Sequence, residues 1–203
     1  MEYMGRIAWV WLLASARVTA RDGDAEIDMF ETEDVWCREL TDTEEIRSLV
    51  LDLGRSKDYV GALRCAERLI ELNVTDERAW SLKAECQLYR NVVDDAVRCA
   101  QRSIDLRPSA DAYFLLGTAH MGNSSHGQAV EAFRAGLALS SDNLNILVNL
   151  GVALSSQNDY PEAISVYHRA LAIRPGALAL TELIGSCRMG YRAAWDRGCV
   201  AEA

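Results

Sequence analysis

The side chains able to do chemistry are few and scattered. His120, His126 and His168 are the three histidines, and none has a carboxylate or nucleophile at the spacing of a catalytic set. There is no H-E-x-x-H pair, no glycine-rich phosphate loop and no G-x-S-x-G turn. The six cysteines, Cys37, Cys65, Cys86, Cys99, Cys187 and Cys199, include no C-x-x-C pair. They read as reduced, small hydrophobic residues rather than as a zinc ribbon or a dense disulfide framework. His120 reads as a packed ring, His126 as a turn residue and His168 as an outer-face residue. The expectation is therefore a chain with no catalytic residue, no metal site and no cofactor. Recognition by surface is the chemistry that remains.

Charge narrows the partners. The chain of 203 residues carries −9, with half of its residues apolar and a quarter charged. The stretch from Asp22 to Glu45 holds eleven acidic residues against Arg38 alone, which leaves the body from Ile46 onward near neutral. A chain without a basic stripe cannot neutralise phosphates, so no nucleic-acid partner is expected. Before the acidic run lies Ile7–Ala16, an apolar stretch between Arg6 and Arg17 that is too short to span a bilayer. With Val18–Ala20 after it, this has the form of a signal-peptide core; the alternative is a leader upstream of a later start such as Met29. The expected compartment is cytoplasmic, or secreted or organellar if residues 1–20 act as a signal.

The elements come from an internal repeat. "NLGVALSSQNDYPEAISVYHRALAIRP", Asn149 to Pro175, slides back 34 positions onto "LLGTAHMGNSSHGQAVEAFRAGLALSS". Leu150, Gly151, Ala153, Ala163, Leu171 and Ala172 fall on identical residues, and Tyr167 falls on Phe133. Ala62, Ala96, Ala129 and Ala163 recur at 34, 33 and 34 residues. Twelve residues before them stand Val50, Ala84, Gly117 and Gly151, and twelve after stand Val74, Pro108, Ser141 and Pro175. Helical spacing fills each unit, as in Ile46, Leu49, Val50 and Leu53. Asp58 and Asp159 read as N-caps, Thr41-x-x-Glu44 as a capping box, and Pro108 and Pro175 as helix stops. A small residue where two antiparallel helices cross lets their backbones approach, and an aromatic residue such as Phe133 or Tyr167 fills the remaining gap. One hairpin cannot bury that face alone, so such units stack.

These features resemble the tetratricopeptide repeat family. Trp80, Leu116-Gly117, Leu150-Gly151, the four alanines, Phe133, Tyr167, Pro108 and Pro175 carry the resemblance over roughly residues 43–177. Lys83-Ala84 and Val74 depart from the pattern. The implied fold is all-α: a right-handed α-solenoid of four helix-turn-helix units, about 43–76, 77–109, 110–143 and 144–177, within a repeat domain 41–177. Residues 178–203 would form a capping helix and tail, with Ile184-Gly185 as the start of an unfinished fifth unit. Residues 1–40 would be an apolar then acidic leader, and 29–40, with Phe30, Trp36 and Leu40, would cover the other end.

The resemblance implies a concave groove lined by the first helices, with inward residues at four positions of each unit. Carried over, these give Glu44, Arg47, Ser48 and Leu51; Arg78, Ser81, Leu82 and Glu85; Asp111, Phe114, Leu115 and Thr118; and Asn145, Val148, Asn149 and Val152. The groove candidates retained are Arg47, Arg78, Ser81, Glu85, Asp111, Phe114, Thr118, Asn145, Val148, Asn149 and Val152. Members that dock acidic chaperone tails need paired cations, but Arg47, Leu51, Leu82, Asp111 and Leu115, or one unit later Ser81, Glu85, Leu115, Asn145 and Asn149, do not supply them. No chaperone-tail clamp is expected. Phe114, Val148 and Val152, with Met121, make the C-terminal half apolar, suited to a partner's peptide or amphipathic helix, or to the chain's own tail with Tyr191 and Trp195 folded back. The expected function is a non-enzymatic adaptor or scaffold, or else a substrate-positioning subunit of a transferase or ubiquitin-ligase type assembly. Self-association through terminal helices is a further expected mode.

Overall fold

In the computed structural model the described residues are Cys37 and 40–196. They form helices α1 (Thr43–Arg55), α2 (Tyr59–Leu72), α3 (Glu77–Tyr89), α4 (Val93–Leu106), α5 (Ala110–Gly122), α6 (His126–Leu139), α7 (Leu144–Ser156), α8 (Tyr160–Ile173) and α9 (Leu178–Asp196). The expected signal-like segment 1–20, the acidic leader, Phe30 and Trp36 lie outside the described residues, as does Cys199. Each helix packs on the next, and α1, α3, α5 and α7 also touch in sequence as an inner row. The result is the all-α solenoid of four helical hairpins with α9 on its end.

The hairpins are cut from the chain by local chemistry repeated in register. First helices begin at Asp42, Asp76, Ser109 and Asn143, each of whose side chains accepts from backbone N–H groups of the first turn. The first cap is thus Asp42, one residue beyond the Thr41 of the expected capping box: its carboxylate reaches Glu44 N at 2.9 Å. First helices end on Lys57, Asn91, Ser124 and Asn158, all with φ between 55° and 66°. The residue after each donates its N–H back five positions, to Leu53, Gln87, His120 and Leu154, satisfying carbonyls that the helix end leaves open. Asp58 and Asp159 cap second helices as expected. Pro108 and Pro175 fall two residues beyond α4 and α8.

Packing inside each hairpin is a volume exchange. Gly117 and Gly151 are seats for rings: a Cβ at either would stand 2.4 Å from the nearest atom of Phe133 or Tyr167. Both rings are fully buried. In the first two units the same pair of positions reads Val50 with Ala66 and Ala84 with Ala100, so a side chain on the first helix goes with an alanine on the second. Val50 with Ala66 roughly keeps the summed volume of a glycine and a ring, whereas Ala84 with Ala100 is smaller in sum. Ala62, Ala96, Ala129 and Ala163, at the helix crossings, are completely buried.

The fifth-unit start behaves as a cap. Leu180, Ile184 and Cys187 of α9 are buried against the last hairpin. Gly185, in register with Gly151, would meet nothing within 4 Å if it carried a Cβ. Where α7 buries Leu147 and Leu154, α9 exposes Thr181 and Arg188, and it exposes Leu178, Met189 and Trp195 beside them. Tyr191 and Trp195 do not fold back as expected but continue α9, which packs on α8; the tail beyond Asp196 lies outside the described residues. Helical hydrogen bonding carries the two rings away from the inner row.

Candidate functional site

The inner row divides into two chemically different halves. In the C-terminal half, α5 and α7 present Phe114, Val148 and Val152, all half-buried. The Phe114 ring leans on Phe133 at 6.3 Å between centroids, so its position is set by the ring seated on Gly117. Met121 is half-buried against the same core. Polar neighbours are already tethered to their own helix. Thr118 donates to the Phe114 carbonyl at 2.8 Å, and Asn149 donates to the Asn145 carbonyl at 2.9 Å. Asn145 and Asp111 are exposed at the rim.

In the N-terminal half the groove candidates are partly spent on holding the array together. Arg47 bonds the carboxylates of Glu44 and Asp76, and Asp76 is at once the buried cap of α3. The hydrogen bond that Arg47 donates to Asp76 chiefly, against the cost of burial, holds its guanidinium above the ordinary pKa. The Ser81 hydroxyl lies 2.8 Å from that of buried Ser103, which donates to the Glu77 carbonyl. Arg78 is exposed. Lys83, which stands where the repeat pattern has leucine, reaches Glu67 of α2 at 2.8 Å. Trp80 closes the loop that lacks a proline, its indole donating to the Val74 carbonyl at 2.9 Å.

Between α1, α2 and α3 lies a cleft of about 330 Å³, bordered by Val50, Leu51, Tyr59, Leu82, Glu85 and Tyr89 among others. Tyr59 and Tyr89 stack at 4.6 Å, nearly parallel. Burial, and then the negative charge of Asp111, push the Glu85 carboxyl above its usual range. Glu85 in turn is the main cause that raises the Tyr89 phenol. The tyrosines belong to no groove position of the repeat pattern; the signal that could have found them is that both flank the inter-helix turns.

The candidates for covalent or acid–base chemistry stay apart. His120 is half-buried, and burial lowers its pKa. His126 is the first residue of α6 rather than a turn residue, with Nδ1 buried and unpartnered. His168 is exposed. Among the described residues no three of His, Cys, Asp and Glu converge as metal ligands. Not all the cysteines are reduced as expected: Cys37 is bonded to Cys65 of α2, with Cα atoms 5.2 Å apart, and Cys37 and Leu40 pack on the first hairpin. Cys86, Cys99 and Cys187 are free and buried, and burial pushes the Cys86 thiol up to about 12. No helix among the described residues is long and apolar enough to cross a membrane.

Comparison with known proteins decides the family. The tetratricopeptide repeat model matches residues 87–143 and 114–177, overlapping windows that together cover α4 to α8. The chain belongs to the tetratricopeptide repeat family. This repeat array is 26% identical over 142 residues to anaphase-promoting complex subunit 3 of Schizosaccharomyces pombe, a match covering 66% of the chain and 21% of that protein. The chain thus spans only about a fifth of that relative's length. Its fold is similar to MamA, with a TM-score of 0.66 and 20% identity, covering 76% of this chain and 86% of MamA. It is also similar to YrrB, described as a tetratricopeptide repeat protein with an unusual peptide-binding site: TM-score 0.61, 15% identity, 81% and 83% coverage.

Proposed function

We propose that this repeat array is a non-enzymatic interaction module, an adaptor or scaffold that holds a peptide or amphipathic helix of a protein partner along its inner row. The observation carrying this reading is the wall formed by Phe114, Val148 and Val152. These apolar side chains from two adjacent first helices stand half-buried, with further area for a partner to cover. The likeness in fold to a protein with a peptide-binding site supports the same reading. The acids Glu85 and Asp111 and the scarcity of free cations on the inner row argue against an acidic chaperone tail as the occupant. Micromolar binding of a peptide ending in Glu-Glu-Val-Asp would overturn that point. Self-association through α9 is a further mode of this reading, with Leu178, Met189 and Trp195 exposed on that helix.

A second reading has one observation in its favour, the similarity to a subunit of the anaphase-promoting complex. In it the array positions a substrate within a multi-subunit enzyme assembly while another chain does the chemistry. Both readings are tested by capturing partners with the wild-type chain, with a Val148→Lys, Val152→Lys inner-row variant and with His168→Glu on the outer face. Proteins lost from the inner-row variant and kept by the outer one support the groove. Equal capture by all three refutes it. Recovery of a stoichiometric enzyme complex selects the second reading.

A further inference from the structure

We propose that the cleft between α1, α2 and α3 is a seat for a basic side chain, lysine or arginine, carried by the segment the inner row binds. The inference rests on the groove reading and adds what the N-terminal end of the groove selects. Glu85 is half-buried, and among the described residues it makes no hydrogen bond or ion pair. Its electrostatic neighbour is Asp111, a second carboxylate, in the first turn of α5. Two like charges, one of them partly desolvated, leave a site whose missing component is a cation. The basic residue on the cleft wall does not fill it: Arg55 is exposed and held by Asp52 at 2.7 Å.

The remaining walls suit the rest of such a side chain. Leu51, half exposed, and Leu82 offer apolar surface to a methylene stem, as long cationic side chains prefer. Tyr89 stands one helical turn beyond Glu85 on the same face of α3 and is 59% exposed. Its ring, stacked at 4.6 Å on Tyr59, presents a π surface beside the carboxylate. A cation between ring and carboxylate gains from both. A neutral or acidic side chain would leave Glu85 covered and uncompensated.

The test is an amide-resolved NMR titration of the full chain with Nα-acetyl-lysine methylamide and with its neutral isostere Nα-acetyl-norleucine methylamide. The lysine probe is expected to shift the amides of Leu51, Glu85 and Tyr89 and to bind at least about fivefold more tightly than norleucine, a modest value for one charge-assisted contact. Glu85→Gln should cut the lysine preference to the smaller part that the Tyr89 ring and Asp111 supply, while Leu51→Ala should weaken both alike. Equal affinities in the wild type, a preference undiminished by Glu85→Gln, shifts located elsewhere, or no binding of the lysine probe would each overturn the proposal. If Val148→Lys, Val152→Lys abolishes partner capture but the lysine probe shows no preference, the seat fails and the groove reading stands. A lysine preference with unaltered capture leaves the seat standing and removes the groove.

Discussion

Three glycines stand in register, Gly117, Gly151 and Gly185, and the structure assigns opposite signs to the same substitution among them. A Cβ at Gly151 would lie 2.4, 2.6 and 2.8 Å from three atoms of the Tyr167 ring. Ordinary carbon contacts are about 3.5–4.0 Å, so the overlap exceeds about 1 Å. The ring is fully buried and has no room to retreat. Overpacking of this kind costs about 1–3 kcal/mol, and so severe an overlap belongs at the upper end. The gain in helix propensity from glycine to alanine returns about 1 kcal/mol. Gly151→Ala should therefore destabilise by about 2 kcal/mol, a fall in Tm of about 4–8 °C. Gly117→Ala should do the same against Phe133. Gly185→Ala meets nothing within 4 Å, so only the propensity gain remains, about 0.5–1 kcal/mol of added stability. Thermal and urea melts of the three variants measure this. In a Tyr167→Leu background Gly151→Ala should lose its penalty, giving a coupling of about 2–3 kcal/mol in a double-mutant cycle. A neutral Gly151→Ala, or a Gly185→Ala as damaging as the other two, would refute the ring-in-glycine account of hairpin closure.

Four further outcomes follow from single contacts. Asp76→Ala removes both the α3 cap and the partner of Arg47, and should cost about 2–3 kcal/mol by urea melt; Asp76→Asn, which keeps a capping oxygen, should cost less. The Tyr167 phenol is buried with the Ser155 hydroxyl near it but outside good hydrogen-bond geometry, and burial pushes it up to about 12, so Tyr167→Phe should melt close to the wild-type temperature, as Phe133 in the preceding unit suggests. Opening the Cys37–Cys65 bond with reductant, or by Cys65→Ser, should lower stability by about 3–4 kcal/mol, the loop entropy of a 28-residue separation, seen as a reductant-sensitive melt. The Glu85 pKa is raised in the folded chain, so between the ordinary value of 4.5 and the folded value the native state binds more protons than the unfolded chain. This contribution to stability is present at low pH and is lost as pH rises through that window; Glu85→Gln should flatten the slope in melts recorded across it.

Much of the fold could be read from residue spacing because the features that repeat are steric. Ala62, Ala96, Ala129 and Ala163 must be small wherever two helices cross, and a period of 33–34 is visible without any structure. The turns were harder for a physical reason. Their left-handed residues are Lys57, Asn91, Ser124 and Asn158, not the glycine that such a conformation favours, so no single residue type marks them. The exchange between Val50/Ala66 and Gly151/Tyr167 was also hidden, since it conserves a summed volume across two helices rather than a residue at either. The candidate site was legible only in part. Spacing gives a residue's register on its helix, yet it does not reveal that Arg47 is spent on Asp76, that Ser81 is spent on Ser103, or that two turn-flanking tyrosines stack.

These hidden pairings bear on what the groove can bind. The C-terminal hairpins close by seating rings on Gly117 and Gly151, which needs no charge, and the inner wall there stays apolar. The N-terminal hairpins have no such rings and are tied by polar and covalent links instead: Arg47 to Asp76, Lys83 to Glu67, Ser81 to Ser103, and Cys37 to Cys65. Two of those links consume Arg47 and Lys83, which leaves Arg78 as the exposed cation among the groove positions of the first two first helices. The acids are not consumed in the same measure, because among the described residues Glu85 and Asp111 pair with nothing that would neutralise them. The excess of negative charge at the N-terminal end of the inner row is thus a by-product of how those hairpins are joined. An occupant running the length of the row would meet carboxylates at one end and hydrocarbon at the other, and a segment with one basic end and one apolar face matches both.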